Sequence, residues 1–157
     1  QGKWNCENGN LTALNPTSGN SASVNTENVS VDFQTTEFSG VSLPGVINIG
    51  DTWTQTTTLE GTETINGTQM PAKNQFSNTC TAAGTESVTV EAGTFDALRV
   101  ECQTVMNITI TMNESPIETA VNLNTTNWYA EKIGLLKTVS TGEGFDSTTE
   151  LTSYNIP

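Results

Sequence analysis

From Phe95 to Met112 the apolar residues Leu98, Val100, Cys102, Met106, Ile108 and Ile110 all fall on even positions. Polar Arg99, Glu101, Gln103, Asn107, Thr109 and Thr111 occupy odd positions of the same stretch. A period of two sustained over that length describes one long strand with an apolar face and a wet face. Such a strand belongs in an antiparallel sheet with one solvated side. No segment carries helical periodicity of useful length, so the expected fold class is all-β: a single-domain curved antiparallel sheet, either a sandwich or a half-barrel.

Punctuation along the chain supports eight to ten strands. Ile65-Asn-Gly-Thr68 predicts a type I′ hairpin, because Asn-Gly accepts the positive φ angles that turn requires. Val88 to Phe95 predicts a second hairpin, with a three-residue turn and Gly93 as its bulge, placing Val90 opposite Thr94. Asn113 to Pro116 breaks the chain. Ile117, Thr119, Val121 and Leu123 then begin a new alternation, and Leu135–Val139 with Thr148–Tyr154 predicts a last hairpin around Gly142 to Phe145. The 157 residues, 34% of them hydrophobic, suit one core. Residues 1–40 are rich in Asn, Ser, Thr and Gly and read as a polar arm, whereas residues 41–157 read as the β domain.

Charge narrows the partners. The formal net charge is −12, with only 5 Lys and Arg. Contacts to a phosphate backbone or an anionic membrane surface need cations, so nucleic acid is excluded as a partner. No apolar run approaches the roughly 20 residues that span a bilayer as a helix. Low charge density and abundant Thr and Asn suggest an extracellular or cell-surface location. Gln1 is not an initiator methionine, and the sequence is expected to be a processed form that has lost a leader.

Three cysteines match no zinc or thioredoxin spacing, and histidine is absent. A disulfide between Cys80 and Cys102 is the first reading. In the register predicted for the hairpin, Cys102 faces Ala82 and Cys80 lies diagonally on the same face, so a bulge near Ala82 to Gly84 would help. Pairing of Cys6 with either partner, and a fully reduced chain, are the alternatives.

Catalytic machinery is not visible. No histidine can serve as base, and neither a Gly-x-Ser-x-Gly elbow nor a Ser-x-x-Lys pair occurs. No phosphate cradle, cofactor site or metal site is expected, the acids around Glu143 and Asp146 reading as an ordinary turn. Trp4, Trp53 and Trp128 read as core or strand-edge packing rather than as a sugar platform. Asn-x-Ser/Thr sequons at Asn10, Asn28, Asn66, Asn107 and Asn124 are candidate N-glycosylation sites, while Pro116 handicaps a sixth at Asn113.

Two stretches carry a family resemblance. Glu86-Ser-Val-Thr-Val-Glu-Ala-Gly-Thr-Phe-Asp-Ala-Leu-Arg-Val100 is followed by Trp128-Tyr-Ala-Glu-Lys-Ile-Gly-Leu-Leu-Lys137, with Ile47-Asn-Ile-Gly-Asp-Thr-Trp53 upstream. Over about residues 41–157 the chain resembles secreted bacterial, Chloroflexi-type, DUF3108-like envelope proteins of unknown function. The resemblance implies a curved antiparallel sheet similar to the lipoprotein-carrier half-barrel, and it transfers no site residues. The departures, Glu91 for the usual proline and Lys132-Ile133 before Gly134, fall in predicted turns.

The functional expectation is a non-enzymatic extracellular structural protein, a cell-surface or pilus-like filament subunit assembled into a homopolymer through β-strand contacts. Gln1 to Leu14 is the candidate donor strand, with Trp4 and Cys6 as assembly residues. The alternative is a periplasmic or surface carrier for an apolar ligand or a glycan. In that case Met106, Ile108, Ile110, Val121 and Leu123 would line its concave face.

Overall fold

The computed structural model describes residues 4–13, 23–25, 29–112 and 114–155. Within them the chain is all-β and antiparallel. β1 (Trp4–Glu7) and β2 (Asn10–Ala13) form a two-stranded ribbon. The remaining strands are β3 (Ser23–Asn25), β4 (Val29–Gly40), β5 (Thr52–Ile65), β6 (Thr68–Val90), β7 (Gly93–Met112), β8 (Ser115–Ala130), β9 (Gly134–Gly142) and β10 (Phe145–Glu150). Their hydrogen-bonded order is β10-β9-β8-β7-β6-β5-β4-β3, in which neighbours in space are neighbours in sequence. Short turns impose that order from β5 to β10. Asn66 and Gly67 both have positive φ, 50° and 80°, as the Asn-Gly hairpin requires.

The described chain packs as two compact units. Of the described residues, those within 1–46, 54–77 and 105–121 form unit 1, and those within 47–53, 78–104 and 122–157 form unit 2. β5, β6, β7 and β8 contribute segments to both.

In unit 1, β4 pairs with β5 from Val29↔Ile65 to Gly40↔Gln55, with one irregularity between Thr35 and Glu37. Leu59, Met70 and Ala72 are buried, and so are Thr12, Gln55, Thr57 and Thr58. The β1–β2 ribbon is tied to the loop after β4. Leu11 forms a bridge with Leu43, Gly45 N donates to Asn10 Oδ1 at 2.9 Å, and Gly9 packs on Gly45 closely enough that a Cβ on Gly45 would sit 2.7 Å from the Gly9 carbonyl.

In unit 2, one core cluster joins Val88, Val90, Ala97, Ala130 and Leu136, with Phe95, Trp128 and Leu151 packed against it. A second joins Cys80, Val100 and Cys102, flanked by Trp53, Leu98 and Tyr129. Trp53 and Trp128 are therefore packing residues, as their positions at strand ends suggested. Trp128 also donates from Nε1 to Glu86 and carries Lys137 Nζ over its ring at 5.9 Å, while Lys137 pairs with Glu150 at 2.7 Å.

Three expectations are corrected. The alternation along β7 is not unbroken: Phe95 and Ala97 are inward on odd positions, whereas Val100 and Cys102 are inward on even ones. Two residues, Leu98 and Arg99, separate buried Ala97 from buried Val100, and that extra residue reverses which parity faces inward. Cys80 and Cys102 do not lie diagonally; their Cα atoms are 4.0 Å apart, the spacing of directly facing residues. The last hairpin begins earlier than predicted, with β10 ending at Glu150 and Leu151 N continuing to Leu136 O at 2.8 Å.

Gly61 in β5 shows how closely β4 approaches. A Cβ there would lie 1.9 Å from the Asp32 carbonyl oxygen. The expected result for Gly61→Ala is a loss of about 1–3 kcal/mol through overpacking, read from urea unfolding; an unchanged midpoint would contradict this placement of β4 on β5.

Candidate functional site

Three features of the described chain merit consideration as a site: the disulfide cluster and a polar groove in unit 2, and a partly open apolar face in unit 1.

Cys80 and Cys102 are bonded, with both sulfurs inside the cluster that Val100, Trp53, Leu98 and Tyr129 complete. The Ile47–Trp53 segment enters this region through a tight turn. Asn48 N and Nδ2 both donate to Asp51 Oδ2, at 2.8 and 3.2 Å, and Gly50 sits at φ 93°. Gly50 N then donates to Ala82 O and Ala82 N to Asp51 O, which aligns the start of β5 beside β6. Burial raises the Tyr129 hydroxyl above the ordinary 10.0, because the phenolate loses hydration there.

Next to the bridge lies a polar groove of about 350 Å³, walled by Thr79, Thr81, Glu101, Gln103 and Asn124 with Cys102 at its edge. A second polar groove, of about 400 Å³ and confined to unit 1, is lined by Gln75, Asn107, Thr109 and Glu118. Because odd residues of β6 and β7 meet even residues of β8 there, alternation sends Met70, Ala72, Asn74 and Phe76, Met106, Ile108 and Ile110, and Ile117 and Val121 to the opposite side.

That opposite side is incompletely covered. Met106, Ile108, Ile110 and Val121 are half-buried, Ile117 and Met112 are exposed, and Asn74 Oδ1 is buried without a hydrogen-bond partner. In unit 2, Leu123 is also half-buried. The cations among the described residues are already engaged. Lys73, Arg99, Lys132 and Lys137 each lie 2.7–3.7 Å from a carboxylate, and Glu60 holds the Lys73 ammonium above its ordinary value.

Comparison with known families adds an assignment. The DUF3108-like family model matches residues 2–156. The chain belongs to the DUF3108-like family. No curated protein and no solved structure matches it. The match reaches farther toward the amino terminus than the motifs alone, so it takes in the β1–β2 ribbon. Both departures of this DUF3108-like protein fall in turns, at Glu91 and at Lys132-Ile133, where substitution leaves the flanking ladders intact.

The remaining site residues of the DUF3108-like chain are scattered rather than gathered. Asn66 is exposed at the β5–β6 turn, Asn107 is exposed in β7, and Asn124 is exposed in β8. Asn10, in β2, uses its side-chain oxygen to hold Gly45. Asn28 lies outside the described residues. Cys6 is exposed and free in β1, and Trp4 begins that strand. Among the described residues no group of three or more Cys, Asp or Glu is placed to hold a metal ion, and no helix is long and apolar enough to cross a membrane. Sequence reasoning did not single out Asn74, Asn78 or Asn127. A polar residue at an inward parity position, as at Asn74, was the one available signal.

The raised Tyr129 hydroxyl has a consequence for stability. The unfolded chain releases this proton near pH 10, while the folded chain holds it to higher pH, so the folded state binds more protons in that window. Stability is therefore intact below about pH 10 and declines as pH rises through the window. Urea melts across this range should show the decline in the wild type and a smaller one in Tyr129→Phe. Equal slopes would place the titrating group elsewhere.

Proposed function

We propose that this is a non-enzymatic extracytoplasmic binding protein that takes an uncharged, apolar ligand bearing a hydrogen-bond donor on the unit 1 sheet face. The observation that carries the reading is an inversion of size. The buried core is mostly Ala, Val, Cys and Thr, whereas Met106, Ile108, Ile110 and Val121 stay half-buried on a continuous face. A chain that needed those side chains only for its own core would cover them.

Two further features set the ligand's chemistry. The unpartnered Asn74 oxygen is a buried acceptor that a ligand hydroxyl would satisfy, and leaving it unpaired costs free energy. Each described cation already has a carboxylate neighbour, which favours an uncharged ligand over one with an anionic head group. An extracytoplasmic location fits the disulfide, since such bridges persist in oxidising compartments. N-linked glycans at the accessible sequons are compatible with this placement and belong to the same proposal.

A second reading, a structural subunit that polymerises, is favoured by one observation: the exposed thiol of Cys6 stands on a short ribbon strand, where it can lock a contact with another copy. Strand addition to the main sheet is less supported. β3 has three residues, and β10 carries Asp146 and Glu150, both devices that discourage edge pairing.

Native mass spectrometry of the protein taken from its producing cells separates the readings. A monomer carrying a neutral adduct extractable into organic solvent, with Asn74→Val losing hydroxylated adducts, is the expected outcome. High-mass species without adduct that dissociate in Cys6→Ser would replace the binding reading with the structural one.

A further inference from the structure

The amides around the Cys80–Cys102 bridge are arranged in a way that a passive staple does not require. Asn78 Nδ2 donates to Cys80 Sγ at 3.3 Å, and Asn127 Nδ2 donates to Cys102 Sγ at 3.9 Å. Each amide is itself held from behind. Thr104 Oγ1 donates to Asn78 Oδ1 at 2.9 Å, and Thr138 Oγ1 donates to Asn127 Oδ1 at 2.8 Å. A hydroxyl on the carbonyl end determines that the NH₂ end points to sulfur.

Disulfide sulfur is a weak acceptor, whereas hydrogen bonds to an ionised group are about twice as strong as neutral ones. Two oriented donors therefore favour the reduced, ionised state over the bridged one. Access is asymmetric as well. Cys80 is the more enclosed of the two, 2% exposed against 7% for Cys102. Cys102, the less enclosed residue, has the longer amide contact, and Cys80 has the shorter one.

We propose that Cys80–Cys102 is a thiol–disulfide exchange site for an external dithiol, with Cys102 the attacked sulfur and Cys80 the leaving thiolate. The dithiol's thiolate bonds to Cys102 Sγ as the Cys80–Cys102 bond breaks, and the electron pair goes to Cys80 Sγ, whose thiolate accepts the hydrogen bond that Asn78 Nδ2 donates. The dithiol's second thiolate then displaces Cys102 and closes the dithiol's own disulfide. Two electrons pass to this protein, the dithiol is oxidised, and its two protons end on Cys80 and Cys102. A better-stabilised leaving thiolate leaves faster, which is the role of Asn78; Thr104 is its positioning residue. This inference does not depend on the apolar-ligand reading.

The test uses the full chain carrying Cys6→Ser, so that only the bridge reacts. Dithiothreitol is added at neutral pH without denaturant, and thiols are alkylated and counted by intact mass while circular dichroism follows the fold. Complete reduction with the sheet retained is expected, and glutathione offered instead should be trapped on Cys102 in peptide maps. Asn78→Val and Thr104→Val should each slow reduction about fivefold, as a leaving thiol of higher pKa does. Reduction only after unfolding, glutathione on Cys80, or unchanged rates in both variants would overturn the proposal. Should Asn78→Val fail to fold, Thr104→Val and the position of the trapped glutathione still decide it.

Discussion

Backbone hydrogen bonding along β6 and β7, 23 and 20 residues long, is the constraint on which the other features depend. Side-chain burial alone would not define this sheet, because among the described residues only Leu59, Leu136 and Val100 are large and almost wholly enclosed. Threonine compensates in two ways. Its branched Cβ favours the extended backbone, and its hydroxyl pairs with hydroxyls on the neighbouring strand. Ser39 with Thr56, Thr52 with Thr81, Thr89 with Thr94 and Thr125 with Ser140 make such pairs at 2.7–3.2 Å. The composition that looked merely polar is thus part of the strand-pairing chemistry.

Reading the sequence succeeded where one residue carries a unique backbone demand and failed where a single inserted residue decides the outcome. The Asn66-Gly67 turn was legible because few other dipeptides accept positive φ twice. The slip between Ala97 and Val100 was not, since Leu98 suits either face and Arg99 can snorkel from a half-buried position. The same one-residue ambiguity concealed the facing arrangement of Cys80 and Cys102, although the partners themselves could be named. The β1–β2 ribbon was illegible for another reason. Its placement rests on Leu11 with Leu43 and Gly9 with Gly45, two contacts distant in sequence and unmarked by periodicity.

Amide positions around the bridge belong to the same class. Asn78 and Asn127 lie 49 positions apart in the numbering, yet each is oriented by a threonine hydroxyl on another strand. Local sequence around either asparagine says only that a strand carries an amide. The chemical meaning arises when pairing brings a hydroxyl to one end of that amide and a sulfur to the other.

An apolar face left partly open needs protection from self-association, and the net charge of −12 provides it. Two copies approaching with like charge repel over about a Debye length, roughly 8 Å at physiological ionic strength, before apolar side chains can touch. A small neutral molecule meets no such barrier. Under the proposed binding role, that charge would favour an uncharged ligand over a second copy on the unit 1 face. Any polymer of this chain must supply an attraction strong enough to overcome that repulsion, and a covalent link through exposed Cys6 is the contact in the described chain able to do so.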